Sequence, residues 1–315
     1  MSCELNGFDP VNPSLPIGDC VSDGLSWLED TFAAVFNVIE GGLTFLYEGL
    51  AQLLSLPPYW VIMLIFAVIA WLTARWPIAV FTLVGFYVIR SVDLWGHAME
   101  TISLVTVAVV FALLFAIPIG ILAAKVSWVS TVARPILDFM QTMPAMVYLV
   151  PAITIFSVGI VPGAVATIIF AMPPGVRLTE LAIRQVDEEL VEAGKAFGAT
   201  SWRILWQTQL PVALPTIMAG VNQVIMLALS MVVLAGMAGA GGLGGDVVGS
   251  LSSLNVPLGV DAGLAVVIIA IWLDRVSNGL GTLQQRRARA KASAVASEQD
   301  DATTADAPAA QPATT

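Results

Sequence analysis

Charged residues are scarce in this sequence. Asp, Glu, Lys and Arg make up 11% of its 315 residues and hydrophobic types 57%, whereas a soluble globule carries roughly 25% charged residues. That shortage excludes a water-soluble fold and assigns the chain to lipid. Histidine is almost missing too: His97 stands alone, which removes histidine metal clusters and Ser-His-Asp nucleophile sites. The two cysteines, Cys3 and Cys20, both fall in the acidic N-terminal stretch, where a disulfide and two free thiols are equally compatible with the sequence. No GxxxxGK[ST] phosphate cradle occurs anywhere, so the chain has no P-loop of its own. No basic n-region followed by an apolar stretch and a small-residue cleavage site opens it, so insertion is expected through the spans themselves.

Ten-residue segments of alternating polarity, the mark of a membrane β-barrel, are also lacking. What is present instead is a series of long apolar blocks matched to bilayer thickness, so the class is an all-α polytopic membrane protein. Seven spans are expected, at 58–74, 77–90, 98–124, 136–157, 160–176, 213–237 and 259–276. The second is short for a core of roughly 30 Å and suits a tilted or re-entrant piece. Upstream, Leu25, Leu28, Phe32, Val35, Phe36, Ile39, Leu43, Leu46, Leu50 and Leu53 recur at helical intervals, interrupted at Gly41-Gly42. An amphipathic helix is expected there. Its polar side is acidic, which favours packing on the outer surface of the bundle over attraction to anionic lipid.

The first 74 residues contain eight acids and no Lys or Arg, whereas Arg286, Arg287, Arg289 and Lys291 lie near the other end. With seven spans and the N-terminus outside, 12 of the 13 basic residues fall inside and only Arg90 falls outside, as the positive-inside rule requires. The stretch 292–315, rich in Ala, Thr, Ser and Pro, is expected to lack order.

Several conspicuous features have plain readings. Gly239 to Gly244 satisfy GxGxxG, yet that fingerprint counts only between a strand and a helix. After a membrane helix it suits a flexible outer loop or close packing. Of nine tryptophans, Trp60, Trp71, Trp76, Trp95 and Trp128 sit near span ends, where aromatic belts collect. Met140, Met143 and Met146 with Pro144 and Pro151 make the fourth span irregular, through kinking or a gate. Asp138 belongs near the inner interface. Asn222, Gln223, Met226 and Ser230 lie within the sixth span, where they either line a solute path or hydrogen-bond between helices.

The longest polar inside segment, 177–210, specifies two short helices. Asp187 is placed as an N-cap, Glu188 and Glu189 suit the first turn, and Val186 with Val191 are spaced for a hydrophobic staple. Gly198 supplies the C′ residue. Leu190, Ala193, Gly194 and Phe197 share one face, and Glu192 with Lys195 are set for an i,i+3 ion pair. A second helix starts at Thr200 or Ser201 and runs through Trp206, with Leu210-Pro211 expected to stop it. A helix, a corner and a helix make a docking knob that can move rigidly with a partner.

Glu192-Ala193-Gly194, then Gly198, then Leu210-Pro211 resemble the EAA loop, the signature of permeases in binding-protein-dependent ABC importers. The family's third position is usually Ala and is here Gly194, which weakens the helix by about 1 kcal/mol; its common Ile three residues before the Pro is here Thr208. The runs 209–211, 214–223, 226–233 and 241–244 look like permeases of the glycine betaine/proline betaine group. This resemblance implies a type I importer permease (MetI-like) core of about seven helices. It also implies a coupling loop made of Glu192, Ala193, Gly194, Gly198, Leu210 and Pro211, seated in a separate ATPase that binds ATP and Mg, with no cofactor or metal in this chain. It further implies an extracytoplasmic substrate-binding protein, a second permease copy, no nucleic-acid partner, and transport in place of catalysis. The implied solute is glycine betaine or proline betaine, with choline, carnitine or an amino acid as alternatives. An ion-coupled carrier would need intramembrane ionisable residues, which apart from Asp138 are nearly absent. The expected division is an outer tail over 1–56, accessory spans over 57–97, the permease domain over 98–285 with its loop at 187–211, and an inner tail over 286–315.

Overall fold

The computed structural model describes residues 17–305, and side chains over 18–281. Among the described residues the regular elements are all helical. Cys20 is disulfide-bonded, and Cys3, the other cysteine, lies outside the described residues. The helices are α1 (Ile17–Ser55), α2 (Tyr59–Ala74), α3 (Trp76–Ser91), α4 (Trp95–Lys125), α5 (Ser127–Thr142), α6 (Leu149–Phe156) and α7 (Ile160–Arg184). They continue as α8 (Glu188–Ala196), α9 (Ser201–Ile204), α10 (Leu210–Ala235), α11 (Gly242–Ser253) and α12 (Val256–Ala305).

Proline and positive-φ residues mark where this chain turns. Pro57-Pro58 ends α1 and sets α2 at 104° to it. Arg75, at φ +90, separates α2 from α3. At Pro144 the ring cannot donate a backbone hydrogen and holds Met143 extended, and the chain from α5 to α6 bends by 110°. Ser157 at φ +62 then reverses the chain into α7.

Each of the seven expected spans is helical, with one correction. The fourth, 136–157, is not one helix but the bent pair α5–α6. Among the described residues, four stretches are long and apolar enough to cross unaided: α4, α7, Ser201–Ala238 and Val256–Gly281. Counting α1–α2 and α5–α6 as one broken span each raises the number to six, and α3, at 16 residues, is shorter. The amphipathic helix of 25–54 is present as α1, where Leu43 and Tyr47 are buried and Phe36 meets Phe156 of α6 edge-on at 5.6 Å. Of the C-terminal stretch 292–315, the backbone of α12 is helical to Ala305, and 306–315 lie outside the described residues.

α4, α7 and α10 form the centre and meet through small residues, which is how helices approach closely in lipid. A side chain on Gly175 of α7 would meet Ala116 of α4 at 2.9 Å and Val224 of α10 at 3.0 Å. On Gly120 it would meet Thr179 at 2.6 Å, and on Gly220 it would meet Leu178 at 3.0 Å. α2 and α3 pack on α12 through Phe66, Phe86 and the buried Trp272. Trp60, Trp71, Trp76 and Trp128 are exposed, whereas Trp95 packs against Tyr59 and Phe86.

Gly239 to Gly244 form the corner between α10 and α11, with Gly239, Gly241 and Gly242 at positive φ. Close packing, not a loose loop, accounts for them. Glu100 and Thr101 of α4 accept from the N–H groups of Gly242 (3.1 Å) and Leu243 (2.9 Å), and His97 Nδ1 lies 2.6 Å from Asp246 Oδ2. The N-terminal end of α4 is thus clamped to α11. At its opposite end, Lys125 donates to Gln209, just before α10.

Candidate functional site

Between α7 and α10 the chain leaves the bundle as an elbow. Val186 is buried and joins Ala182, Ile183, Leu205, Ala213 and Ile217, with Val191 packed against them. This is the expected staple, and it roots α8 in the adjoining ends of α7 and α10. Asp187 occupies the N-cap position, but its side chain makes no capping hydrogen bond; its carbonyl accepts from Leu190 N–H at 3.2 Å. Glu188 and Glu189 do fall in the first turn, at the positive end of the dipole.

The corner is closed by Gly198. At φ +74 it takes the left-handed conformation that disfavours a Cβ. Its N–H reaches the carbonyl of Lys195 at 2.9 Å, and Ala199 N–H reaches that of Gly194 at 3.1 Å, a complete Schellman motif. Gly194 also brings the helices together: a Cβ there would lie 3.1 Å from Ile204 Cγ1. Thr200 Oγ1 then accepts from Arg203 N–H at 3.4 Å and caps α9.

The expected stop at Leu210-Pro211 is absent. Residues Leu205–Gln209 form a π-turn, and Leu210 N–H bonds to the carbonyl of Leu205. A proline within the first turn of α10 needs no donor there, and the wider turn carries the chain onward, so α9 and α10 form one continuous rod. The Glu192–Lys195 ion pair is not formed among the described residues. Both side chains line a cavity of about 340 Å³ with Lys125, Arg184, Glu188 and Gln209, where solvent screening leaves a direct pair little advantage.

This elbow has a firm base and a bare tip. Ile204 and Leu205 are buried, but no residue of α8 is. Leu190 and Ala193 are exposed, and Phe197 is 92% exposed. Trp202 and Trp206, exposed and edge-to-face at 5.5 Å, extend the same apolar surface. The expected loop residues Glu192, Ala193, Gly194 and Gly198 therefore cluster in α8 and its corner. Leu210 and Pro211 lie at its root.

The expected solute-path residues separate into two groups. Asn222 hydrogen-bonds Asn278 of α12, and Asn278 in turn donates to Asp274 Oδ1 at 2.8 Å, which is the interhelical alternative. Gln223, Met226 and Ser230 share an exposed stripe of α10, and Ser230 Oγ donates to the carbonyl of Met226 at 3.0 Å.

Sequence reading missed Lys125 and Gln209, which join through tertiary contact alone. It also missed Glu180, although Arg177 and Arg184 at i−3 and i+4 were visible around it.

Residues 116–290 match the family described as binding-protein-dependent transport system inner membrane component. Three curated relatives are similar over most of the chain. The glycine betaine transport system permease protein OpuAB of Bacillus subtilis is 44% identical, covering 88% of this chain and 99% of the relative. The glycine betaine/carnitine transport permease protein GbuB of Listeria monocytogenes is 45% identical, covering 85% and 96%. The glycine betaine/proline betaine transport system permease protein ProW of Escherichia coli is 43% identical, covering 88% and 78%. A solved structure described as an inward-facing conformation of the MetNI methionine ABC transporter superposes with a TM-score of 0.55 at 23% identity, over 61% of this chain and 95% of that one; that likeness concerns the fold alone. With more than half its length inside the family match and its helices in the MetI-like arrangement, the chain belongs to the inner membrane components of binding-protein-dependent transport systems.

Proposed function

We propose that this permease subunit imports a compatible solute of the glycine betaine or proline betaine type, driven by a separate ATPase that seats the elbow of α8. The observation that carries the coupling role is the exposed apolar tip, Leu190, Ala193 and Phe197, standing on a base stapled to α7 and α10. A soluble surface does not leave such a patch bare without a partner, and a rigid base transmits the partner's displacement into the bundle. ATP and Mg belong to that ATPase. The solute class is drawn from the names of the three relatives.

The orientation is N-terminus outside and C-terminus inside, with the division into 1–56, 57–97, 98–285 and 286–315. It is supported by the gathering of His97 and Asp246 at one end of α4 and of Lys125 and the elbow at the other. A substrate-binding protein delivers the solute to the outer end. A second copy faces the exposed stripe of α10, and Gln223, Met226 and Ser230 line the path between the copies. An ion-coupled carrier relies on ionisable groups at membrane depth; two of the acids on these helices are engaged in ion pairs, Asp138 with Arg177 and Glu180 with Arg134 and Arg184.

Uptake by proteoliposomes holding this chain, its ATPase and its binding protein tests the reading. ATP-dependent uptake of glycine betaine is expected, and it disappears in Glu192→Lys and Gly198→Trp while the helical fold is retained. Undiminished uptake in both variants rejects the elbow as the coupling element. Carnitine, choline and proline as competitors separate the alternative solutes, of which carnitine is favoured by the name of the Listeria relative.

A further inference from the structure

One buried carboxylate joins the inner ends of α4, α5 and α7. Glu180, on α7 just before the elbow, is 5% exposed. Its Oε1 accepts from Ser130 Oγ at 2.7 Å and from Arg134 Nη2 at 3.2 Å, both on α5. The same oxygen lies 3.0 Å from Arg184 Nε, and Arg184 Nη2 donates to the carbonyl of Ala123 on α4 at 2.9 Å. Arg177 and Asp138 pair beside it, and together these groups line a cavity of about 300 Å³.

Beside Glu180, α5 is held to its neighbours by the Asp138–Arg177 pair and by a small apolar contact that includes Ala133 and Met140. Only Ser130 and Leu137 are buried along its length, and Leu137 packs with Ala116 and Val176. Charge-assisted hydrogen bonds are the stronger kind, and in a buried setting they resist separation of the groups they join. An end of α7 that is pulled at α8 therefore carries α5 with it. Beyond α5 lies the 110° bend into α6, a hinge already broken at Pro144.

We propose that Glu180 is a positioning residue that transmits displacement of the α8 elbow to the bent α5–α6 segment. This rests on the elbow being the seat of the ATPase. A residue that merely packed the inner end would, when altered, lower assembly, hydrolysis and uptake together. A transmitting residue separates them.

The readout is solute taken up per ATP hydrolysed by the assembled transporter in proteoliposomes. E180Q preserves shape and still accepts from Ser130, but it removes the charge that holds Arg134 and Arg184. The complex is expected to assemble and hydrolyse ATP, with uptake per ATP reduced about tenfold. Adding Ser130→Asp to E180Q returns a carboxylate to the same spot from the α5 side and is expected to restore the ratio. Where E180Q fails to assemble, Ser130→Ala, which cuts one α5 contact and leaves the Glu180–Arg184 pair, is expected to lower the ratio by itself. An unchanged ratio in E180Q, or in Ser130→Ala where that variant stands in for it, overturns the proposal. So does a parallel loss of hydrolysis and uptake. Gly198→Trp measured alongside distinguishes the two failures. If it is silent, the elbow reading falls; if it abolishes uptake while E180Q is neutral, only the role of Glu180 falls.

Discussion

Gly198 and Gly244 show two reasons for a glycine, one visible in sequence and one not. Gly198 follows a helix whose last turn carries Lys195, a pattern that predicts a left-handed C′ residue, and the observed φ of +74 agrees. Gly198→Ala is expected to destabilise the corner by about 1–2 kcal/mol and to lower coupled uptake without unfolding the bundle, measured by transport and by thermal unfolding in detergent. Gly244 has no such local signature. A Cβ on it would lie 2.8 Å from the carbonyl oxygens of Val232 and Val233, so Gly244→Ala forces α11 from α10. A cost of about 1–3 kcal/mol is expected, read as a lower melting temperature. Asp187 shows the converse limit. Its position as N-cap was legible, but its side-chain bond was not made, because the choice between a backbone N–H and water depends on exposure that spacing does not encode.

At the scale of the element, the π-turn Leu205–Gln209 is the feature least legible in sequence. Pro211 reads as a stop, and in isolation it would be one. In the fold, the burial of Leu205, Ala213 and Ile217 in one cluster keeps the chain helical through the proline. The extra residue of the wider turn rotates α8 and α9 by about 100° relative to an unbroken α register. Pro211→Ala supplies the missing N–H and is expected to shift the turn towards α. The prediction is equal or greater thermal stability with reduced uptake per ATP, since the elbow then faces a new direction. Unchanged coupling would mean that the rotation is irrelevant. The α5–α6 bend was legible as irregularity from Pro144 and its methionines, but its angle was set by what α5 and α6 pack against.

For the whole molecule, the proposed orientation rests on charge bias, and the polar contacts gather at the two ends of the bundle. Lys125, Gln209, Arg134, Glu180 and the elbow meet at one end, His97, Glu100 and Asp246 at the other. Single cysteines at Phe197 and Leu254, both exposed, in a chain lacking Cys3 and Cys20, test the arrangement with a membrane-impermeant maleimide. Leu254→Cys is expected to label in intact cells and Phe197→Cys only after permeabilisation. Labelling of Phe197→Cys from outside would reverse the topology and remove the coupling role.

Composition and spacing alone determined that this chain lives in lipid, is helical, and carries a short capped helix between two spans. These are local or additive properties: apolar length, charge bias, and residue preference at a turn. What only the tertiary structure decided is which groups meet across helices. Asn222 with Asn278, Lys125 with Gln209, and Glu180 between α5 and α7 arise from packing geometry that brings residues far apart in the chain to one place. No local preference records such a meeting, because its free energy exists only once the helices are side by side.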